Sequence, residues 1–328
     1  MRFLVTGGAG YIGSHVARHL CEAGHAVTVL DQVGADRLTA IADVESVIGD
    51  VRDGHLLETL LGARQFDGVI HLAGAKSADA SLRDPGFYFD TNAAGSLALL
   101  RSMAATGTST FVFSSTCAIY GPLNEPPLNE HASIDPQTPY GESKLIVERM
   151  LPWFERAHGI RWVALRYFNA AGASDDGQIG EEWDRAANLV PMVMKAMAGV
   201  IPVLTVNGRD YPTADGTAVR DYVHVLDLAI AHRQALDHLV DGGQSMVLNL
   251  GTGRGASVLD VVHAAEEVSG RSVPLVFAER RPGDLASVWA DPTQAHHVLG
   301  WRAERDLEAI VGTAWRWHSR ATSRSESS

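Results

Sequence analysis

The stretch RFLVTGGAGYIGSHVARHL, residues 2–20, decides the fold of this chain. A short apolar run leads directly into a glycine-rich turn, and the turn opens a helix. Gly7, Gly10 and Gly13 stand three residues apart, and Gly8 completes a Gly-x-Gly-x-x-Gly pattern with the last two. Glycines at a strand-to-helix turn let the backbone approach a pyrophosphate, which then binds at the N-terminus of the helix. The pattern therefore predicts a dinucleotide-binding turn.

The next strand, AVTVLD, ends at Asp31, 18 residues after Gly13. A carboxylate at this position binds the hydroxyls of an adenosine ribose and repels a 2′-phosphate. Because no arginine follows it closely, the sequence favours NAD over NADP. Asp50 ends the presumed third strand, where its carboxylate would meet the adenine, although an ordinary turn aspartate would look the same.

The first half of the chain alternates strands and helices. Apolar runs that are typical of parallel strands buried on both faces occur in RFLVTG, AVTVLD, DGVIHLAG, TFVFSS and RWVALRYFN. Helices are predicted between them at about 12–23, 88–106 and 140–158. This alternation predicts an α/β fold of Rossmann type with a doubly wound parallel sheet.

Past about residue 172 the alternation weakens, which predicts a smaller α+β domain. VLTVNGRDYP carries an Asn-Gly hairpin signal, and SVPLVFAERRPGDL predicts a strand that leads into a polar loop. We expect residues 1–172 to bind the cofactor and residues 173–328 to bind the substrate. Residues 221–251 are expected to fold back onto the main sheet, and residues from about 319 to 328 to form a disordered tail.

The composition argues against several functional classes. The formal net charge is −12, whereas proteins that bind nucleic acid carry basic surfaces. No run approaches the roughly 18 apolar residues that span a bilayer, so no membrane partner is expected. Cys21 and Cys117 lie far apart, which favours a reducing cytoplasm. His15 and His19 are four residues apart but lack an acidic partner in zincin spacing, so no metal site is predicted.

The stretch PYGESKL, residues 139–145, places Tyr140 four residues before Lys144. Positions i and i+4 project from the same face of a helix, so the phenol and the ammonium would be neighbours. A free phenol has a pKa near 10, and only about 0.1% of it is ionised at pH 7. A neighbouring ammonium, together with a positive nicotinamide, would favour the phenolate and make it a general base. Such a pair also arises by chance, so other motifs have to support it.

Other motifs do support it through a family resemblance. TGGAGYIGSH, GDVRD, FSST, YGESK, RYFNAAGA, DYPTADGTAVRDYVHVLDLA and RRPGDL resemble, in collinear order, those of the extended short-chain dehydrogenases/reductases. More narrowly, they resemble those of the UDP-galactose 4-epimerase family. The resemblance runs from residue 1 to about 317. YPTADGTAVRDY is much more specific than the glycine motif, which many oxidoreductases share.

The resemblance implies a set of site residues. The catalytic residues would be Tyr140, Lys144 and Thr116. The NAD-binding residues would be Gly7, Gly10, Tyr11, Ile12, Gly13, Asp31, Asp50, Val51, Lys76, Asn92, Tyr140 and Lys144. The residues that bind the UDP-sugar would be Thr116, Asn169, Asn188, Arg220, Arg281 and Asp284. Arginine suits a diphosphate, and asparagine suits sugar hydroxyls and uracil, because of the hydrogen bonds that each side chain makes.

The reaction that the resemblance implies is UDP-glucose 4-epimerisation. Tyr140 would take the proton from the C4 hydroxyl while hydride passes to NAD, and the 4-keto sugar would turn and be reduced on its other face. Related 4,6-dehydratases carry an Asp-Glu pair where this chain has Cys117 and Ala118, which disfavours dehydration. Val288 stands where such epimerases carry either a tyrosine or a smaller residue, so UDP-N-acetylhexosamines are expected to fit as well.

Two alternatives stay open at this point. Another NAD-dependent UDP-sugar enzyme, such as a uronate epimerase or decarboxylase, would share the catalytic residues. A non-catalytic dinucleotide-binding protein of the same fold would be expected to lack Tyr140 or Lys144, and both are present. The resemblance also implies a homodimer, formed through the helices near 88–106 and 140–158.

Overall fold

The computed structural model describes residues 1–183, 186–281 and 283–325. The first half alternates strands and helices, as predicted. Its elements are β1 (Arg2–Thr6), α1 (Tyr11–Glu22), β2 (Ala26–Asp31), β3 (Glu45–Ile48), α2 (Gly54–Ala63), β4 (Gly68–His71), α3 (Ala78–Arg83), α4 (Pro85–Tyr88), α5 (Gly95–Thr106), β5 (Thr110–Thr116), α6 (Pro139–His158) and β6 (Arg161–Tyr167). Short 3₁₀ turns lie at Ala35–Leu38 and Cys117–Ile119.

The second half is built from shorter strands and from helices that pack beside them. Its elements are β7 (Asn169–Ala171), α7 (Leu189–Met197), β8 (Leu204–Asn207), β9 (Val219–Arg220), β10 (Tyr222–His224), α8 (Val225–Val240), β11 (Met246–Leu250), β12 (Ala256–Ser257), α9 (Val258–Ser269), β13 (Leu275–Ala278), β14 (Ser287–Val288), α10 (Thr293–Leu299) and α11 (Leu307–Ser325). Of the described helices, none is long and apolar enough to cross a membrane.

The central sheet has, in the described part of the chain, seven parallel strands in the order β3-β2-β1-β4-β5-β6-β11. The chain builds outward from β1 through β2 and β3, and then returns to build outward on the other side through β4, β5 and β6. The strand order therefore reverses between β1 and β4. In open α/β sheets a crevice for ligands forms at the carboxyl ends of the strands at this point. The predicted Rossmann-type fold is confirmed.

Each face of the sheet carries its own core. Phe3 and Val5 of β1 pack with residues of α1 and α8 on one face. Leu4, between them, packs on the other face with residues of α2, α5 and α6. Because successive residues of a strand point to opposite faces, burial on both sides requires a continuous apolar run. A third core joins α7, α9 and α11 in the second half of the chain.

The chain does return to the main sheet after β10. Strand β11 pairs in parallel with β6, from Met246 opposite Val163 to Leu250 opposite Tyr167. Helix α8, which precedes β11, packs against α1 in the same core. The carboxyl edge of the main sheet is thereby extended toward the elements of the second half.

The predicted hairpin at Asn207 and Gly208 is wrong. Gly208 does adopt a φ of +82°, but β8 pairs in parallel with β13, which lies about 70 residues later in the sequence. The amide of Gly208 donates to the carbonyl oxygen of Ala278, at the end of that pairing. The glycine therefore ends a strand instead of reversing it, because a distant segment supplies the hydrogen-bond partners of β8.

Two helix predictions differ from the structure at their ends. The helix predicted at about 88–106 is divided, because a π-helical segment, Phe89–Ala94, joins α4 to α5. Helix α11 continues through residues 319–325, which the sequence analysis assigned to the tail. Adding residues to a formed helix costs far less than nucleating one, so a polar segment continues it readily. Residues 326–328 of that predicted tail lie outside the described residues.

Candidate active site

The glycine-rich turn between β1 and α1 lies at the carboxyl edge of the sheet, where the strand order reverses. Gly7 has a φ of +73°, and a Cβ there would lie 2.5 Å from the backbone nitrogen of Ala73. A Cβ on Gly13 would lie 2.1 Å from the carbonyl oxygen of Gly7. Both positions therefore require glycine, because any side chain would push the turn away from its neighbours.

The N-terminus of α1 has the properties of an anion site. Gly10 is the N-cap, and no side chain of the described residues caps the first turn, which also contains no acidic residue. The first amides of an α-helix have no partners within the helix. The amides of Tyr11 and Ile12 are therefore available, and the helix dipole adds partial positive charge beside them.

Asp31 ends β2 next to this turn, as predicted. Its carboxylate accepts hydrogen bonds from the amides of Ala9, at 3.0 Å, and Val33, at 3.3 Å. These contacts hold the carboxylate against the glycine turn. A ribose bound beside the turn would meet the carboxylate oxygens of Asp31, which accept hydrogen bonds. Both groups that hold this carboxylate are backbone amides, and neither is a cationic side chain.

Asp50 follows β3, but other side chains engage its carboxylate. Arg52 forms an ion pair with it at 2.6 Å, and the amide of Gln32 donates to it at 2.9 Å. The hydrogen bond from the Arg52 guanidinium lowers the pKa of Asp50. Val51, the next residue, is buried. If Asp50 contacts the adenine as predicted, it would do so while paired with Arg52 at the edge of the sheet.

Helix α6 carries Tyr140 and Lys144 in its first two turns. It begins with Thr138 as N-cap, whose hydroxyl accepts a first-turn amide at 3.2 Å, followed by Pro139. Proline suits the first helical position because the N–H that it lacks would have no partner there. These signals fix where the helix starts and so which residues face β5. Lys144 is 4% exposed, and its Nζ donates to the carbonyl oxygen of Ser114 at 2.9 Å.

Thr116, the last residue of β5, completes the cluster. Its side chain lies close enough to the Tyr140 hydroxyl to lower the pKa of that phenol, and its Oγ1 accepts the amide of Ala118 at 3.1 Å. The structure thus brings Thr116, Tyr140 and Lys144 together at the carboxyl end of β5, as the sequence predicted.

The pKa values of this cluster describe the cofactor-free protein. Burial raises the pKa of Tyr140 to about 12, and the Thr116 side chain opposes this rise without cancelling it. Burial also lowers the pKa of Lys144 to about 8. Desolvation disfavours the charged form of each group, so the phenol keeps its proton in the cofactor-free protein. The predicted phenolate depends on the positive charge of the nicotinamide as well as on Lys144, so it stays a prediction.

Lys76 and Tyr11 connect the cofactor side of the sheet to the second half of the chain. Lys76 forms an ion pair with Glu181, whose side chain is 5% exposed. The hydroxyl of Tyr11 donates to the carbonyl oxygen of Gly172 at 2.6 Å, and burial raises the pKa of Tyr11. Both predicted cofactor residues therefore also hold segments of the second half in place.

Asn92 lies in the π-helical segment and is fully engaged by protein atoms. Its Oδ1 accepts the amide of Ala75 at 2.8 Å, and its Nδ2 donates to the Ser143 hydroxyl at 2.9 Å. The side chain fastens the loop after β4 to helix α6, next to Lys144. Asn92 therefore shapes this loop, and its predicted contact with the cofactor stays a prediction.

The predicted diphosphate residues lie in the second half and are more exposed. Arg220 of β9 forms an ion pair with Asp284, and the two side chains are 19% and 31% exposed. Arg281 is 62% exposed and lies 3.9 Å from Asp79 of α3. Arg220 approaches the end of β5, because its charge influences the thiol of Cys117, the residue after Thr116. The Arg220 guanidinium therefore lies on the side of the second half that faces the Tyr140 cluster, and the predicted diphosphate contacts of Arg220 and Arg281 stay predictions.

The two predicted asparagines lie at the starts of elements in the second half. Asn169 begins β7, and its Nδ2 donates to the carbonyl oxygen of Asp221 at 3.1 Å. Asn188 is the exposed N-cap of α7, and the described residues show no hydrogen bond from its side chain to the first turn of that helix.

Sequence comparisons agree with this arrangement. A profile of the family described as GDP-mannose 4,6 dehydratase matches residues 4–313. A UDP-glucose 4-epimerase of Lacticaseibacillus casei is 42% identical over 320 residues, which cover 97% of this chain and 97% of that protein. The chain belongs to the UDP-glucose 4-epimerase family. The family resemblance inferred from the sequence motifs is confirmed.

Solved structures of the UDP-glucose 4-epimerase family superpose closely on this fold. The structure from Stenotrophomonas maltophila, with bound NAD and formylated UDP-arabinopyranose, has a TM-score of 0.95 and 42% identity, and covers 99% of each chain. The structure from Brucella ovis in complex with NAD has a TM-score of 0.93 and 41% identity, and covers 96% of this chain and 97% of that one.

The sequence analysis missed two acidic residues that shape the site of this epimerase-family chain. Glu181 lies 105 positions from Lys76, and no local pattern indicated the pairing. Asp221 is fully buried, and its carboxylate accepts the amides of Thr252, at 2.8 Å, and Ala290, at 3.1 Å. It thereby ties the end of β11 to the segment after β14. Its position between Arg220 and an apolar strand could have indicated an inward-facing carboxylate.

Proposed function

We propose that this protein is a UDP-glucose 4-epimerase that interconverts UDP-galactose and UDP-glucose. The observation that carries the proposal is the cluster of Tyr140, Thr116 and Lys144 at the carboxyl end of β5. It lies beside a dinucleotide-type turn and faces the same cleft as Arg220. A reacting sugar hydroxyl, a hydride acceptor and a diphosphate thus each have suitable side chains around one cleft.

The turn fits NAD as the cofactor. A Cβ at Gly7 or Gly13 would fill the space that a close backbone approach requires. The amides of Gly10, Tyr11, Ile12 and Gly13 would hold the pyrophosphate, and Asp31 the adenosine ribose. The remaining predicted contacts are Asp50 and Val51 near the adenine, and Lys76, Asn92, Tyr140 and Lys144 toward the nicotinamide. NAD supplies a reversible hydride acceptor beside the sugar and a positive charge when oxidised.

The chain's own residues move the proton. Tyr140 accepts the proton of the C4 hydroxyl, and Thr116, which lies beside the Tyr140 phenol, orients that hydroxyl. Lys144 holds a positive charge below pH 8 and stabilises the phenolate. After the 4-keto sugar has turned, Tyr140 returns the proton to the oxygen on the opposite face. One residue serves as base and then as acid, because the two half-reactions are the reverse of each other.

The nucleotide provides the anchor that allows the sugar to turn. Arg220 and Arg281 would bind the diphosphate, and Asp284, Asn169 and Asn188 would bind the ribose, sugar and uracil. Binding energy from a part of the substrate that does not react is then available to hold the reacting part in place. Arg220 has to leave Asp284, and Arg281 has to leave Asp79, when the diphosphate arrives.

We propose that UDP-N-acetylhexosamines are accepted as well. Val288 of β14 pairs with Arg220 of β9, and it packs against the same small core as Cys117, which supports a place at the border of the cleft. A valine leaves more room there than a tyrosine would. Val288→Tyr should lower kcat/KM for UDP-N-acetylgalactosamine at least ten-fold more than kcat/KM for UDP-galactose, which a direct comparison of initial rates would check.

Dehydration is the less suitable chemistry for this cleft. Elimination of water needs an acid and a base after Thr116, and this chain has Cys117 and Ala118 there. Burial raises the pKa of the Cys117 thiol to about 12, so the thiol stays neutral. The match to a dehydratase profile is therefore accounted for by a shared fold and cofactor turn.

We propose that the protein forms a homodimer through α5 and α6. Leu97 of α5 and Trp153 of α6 are 38% and 65% exposed, which supports an apolar contact there.

We also propose two functional parts within each subunit. Residues 1–172 with 221–251 would bind NAD, and the rest of 173–328 would bind the UDP-sugar. The free thiols of Cys21 and Cys117 support a reducing cytoplasm.

The function is tested by incubating the purified protein with UDP-galactose and resolving the products by anion-exchange chromatography. We expect UDP-glucose to appear without added cofactor and to approach a fixed ratio with UDP-galactose. If no conversion occurs even after NAD⁺ is supplied, the proposal that UDP-galactose is a substrate is contradicted. Uronate or acetamido UDP-sugars then become the substrates to assay.

A further inference from the structure

Helix α6 contacts β5 through more residues than the catalytic pair. Three residues at intervals of four along one face of the helix meet three consecutive residues of the strand: Tyr140 meets Thr116, Lys144 meets the Ser114 carbonyl, and Glu148 accepts the Ser115 hydroxyl. The third contact lies one helical turn after Lys144 on α6. The proposed catalytic residues therefore share one face of the helix, and its contacts with β5, with Glu148.

Glu148 also pairs with Arg166 of β6 in the interior. The guanidinium donates from Nε to Oε1 at 3.0 Å and from Nη2 to Oε2 at 2.6 Å. The two side chains are 6% and 3% exposed. Two parallel hydrogen bonds define the direction as well as the distance of the pair, which a single contact does not.

Arg166 is itself held by Tyr120 and, through Tyr120, by strand β11. Its Nη1 donates to the hydroxyl of Tyr120 at 3.1 Å, and that hydroxyl donates to Oδ1 of Asn249 of β11 at 2.7 Å. The guanidinium also lies over the Tyr120 ring, 5.2 Å from its centroid. The network thus runs from α6 through β5 and β6 to β11, and Tyr120, which follows the 3₁₀ turn after β5, links β6 to β11.

We propose that the buried Ser115–Glu148–Arg166 network is a positioning device that sets the height and rotation of α6 so that Tyr140 and Lys144 meet Thr116. The inference rests on the proposed function. A buried ion pair adds little net stability compared with apolar packing, whereas its geometry is well defined. Proton transfer depends on that geometry, because a displacement of about 1 Å can cost about 100-fold in rate. Glu148 and Arg166 do not touch the reacting atoms and act through Tyr140 and Lys144.

The test removes one hydroxyl from the network without leaving a buried charge unpaired. Ser115→Ala breaks the contact between β5 and Glu148 and leaves the ion pair with Arg166 intact. The chain offers a matched control on the same helix: Ser245 donates to Glu155 of α6 at 2.7 Å, two turns farther from Tyr140. Ser245→Ala therefore removes a similar contact at a distance from the cleft.

We expect Ser115→Ala to lower kcat for UDP-galactose by about 10- to 100-fold, with KM changed by no more than about two-fold. Ser245→Ala should keep the kcat of the unmodified protein, although both variants lower the melting temperature slightly. In a Tyr140→Phe background, Ser115→Ala should add little further loss, because the two residues act through one step.

Three results would overturn the proposal. The first is an unchanged kcat in Ser115→Ala. The second is a loss of kcat in Ser245→Ala as large as that in Ser115→Ala. The third is a loss of kcat from Ser115→Ala that is as large in the Tyr140→Phe background as in the unmodified protein. Lack of activity in the unmodified protein would contradict the proposed epimerase function instead, so the two failures are distinguishable.

Discussion

Two regions of the cleft are built in opposite ways. The proposed catalytic side consists of Thr116 and Lys144, which are buried, and of Tyr140, which is half-buried, and its groups already contact each other or the β5 backbone. The proposed diphosphate side, formed by Arg220, Arg281 and Asp284, is partly exposed, and its arginines are paired with carboxylates. On this proposal one side is assembled before any ligand arrives, whereas the other has to exchange partners. The difference matches their tasks, since proton transfer needs fixed geometry and a charged ligand needs access.

The largest expected effect comes from breaking the catalytic side. Tyr140→Phe should lower kcat for UDP-galactose by about 1,000-fold, because general acid–base catalysis contributes about 100- to 10,000-fold. KM should change little. Tyr88→Phe is the matched control, since the Tyr88 ring packs against Tyr140 with centroids 6.4 Å apart. Full turnover in Tyr140→Phe, or equal losses in both variants, would rule out Tyr140 as the base.

The burial of Lys144 should be visible in the pH dependence of stability. Its pKa is lowered from 10.5 to about 8, so between these values the unfolded chain binds more protons than the folded one. The free energy of unfolding of the cofactor-free protein should therefore rise with pH in this window. The rise, relative to Lys144→Met, should reach about 3 kcal/mol by pH 10.5. Urea unfolding of both proteins at pH 7.5 and above measures it.

Lys195→Met serves as the control for that experiment. Lys195 also donates to a backbone carbonyl, that of Ala186, at 2.8 Å, but it is only partly buried. The pH dependence of Lys195→Met should follow that of the unmodified protein. If the free energy of unfolding of Lys144→Met also had the same pH dependence as that of the unmodified protein, Lys144 would not be desolvated in solution.

On the diphosphate side, Arg281→Ala should act on binding. We expect KM for UDP-galactose to rise about 10- to 100-fold with kcat nearly unchanged, because a hydrogen bond to a charged group contributes about 1.5–3 kcal/mol. Arg280→Ala is the control: Arg280 is engaged by Asp210 at 2.7 Å and stacks on Tyr211. Steady-state kinetics of both variants measure kcat and KM for UDP-galactose. A loss confined to kcat in Arg281→Ala would place this arginine on the catalytic side.

The smallest expected effect concerns acid stability beneath the catalytic side. His71 is fully buried between the hydroxyls of Thr6 and Ser96, and burial lowers its pKa to about 3. Between pH 6.5 and 3 the unfolded chain binds the extra proton, so stability falls as the pH falls.

At pH 5 the loss from this one residue should be about 2 kcal/mol. His71→Gln should show a shallower decline between pH 7 and 5 in urea unfolding, whereas exposed His131→Gln should keep the original slope. Identical slopes in all three proteins would contradict a neutral, buried His71.

The same contrast explains what the sequence could predict. Gly7, Gly13, Tyr140 and Lys144 are local patterns, because a turn and a helix fix their geometry within a few residues. The partners of Lys76 and Asp221 lie far away in sequence, and only the folded chain brings them together. Asn207 and Gly208 show the reverse case, in which a strong local signal gave way to a strand pairing with β13. The shifted pKa values of Tyr140 and Lys144 in the cofactor-free protein could not be predicted either, because the extent of desolvation is not visible in the sequence.

The central claim is that Tyr140 and its neighbours support a hydride transfer that is reversed on the other face of the same sugar. The most direct test uses UDP-galactose that carries deuterium at C4 and follows the product by mass spectrometry and NMR. The account predicts UDP-glucose that retains the deuterium at C4, with none released to water. Loss of the label to solvent would contradict it, because the C4 hydrogen would then leave as a proton.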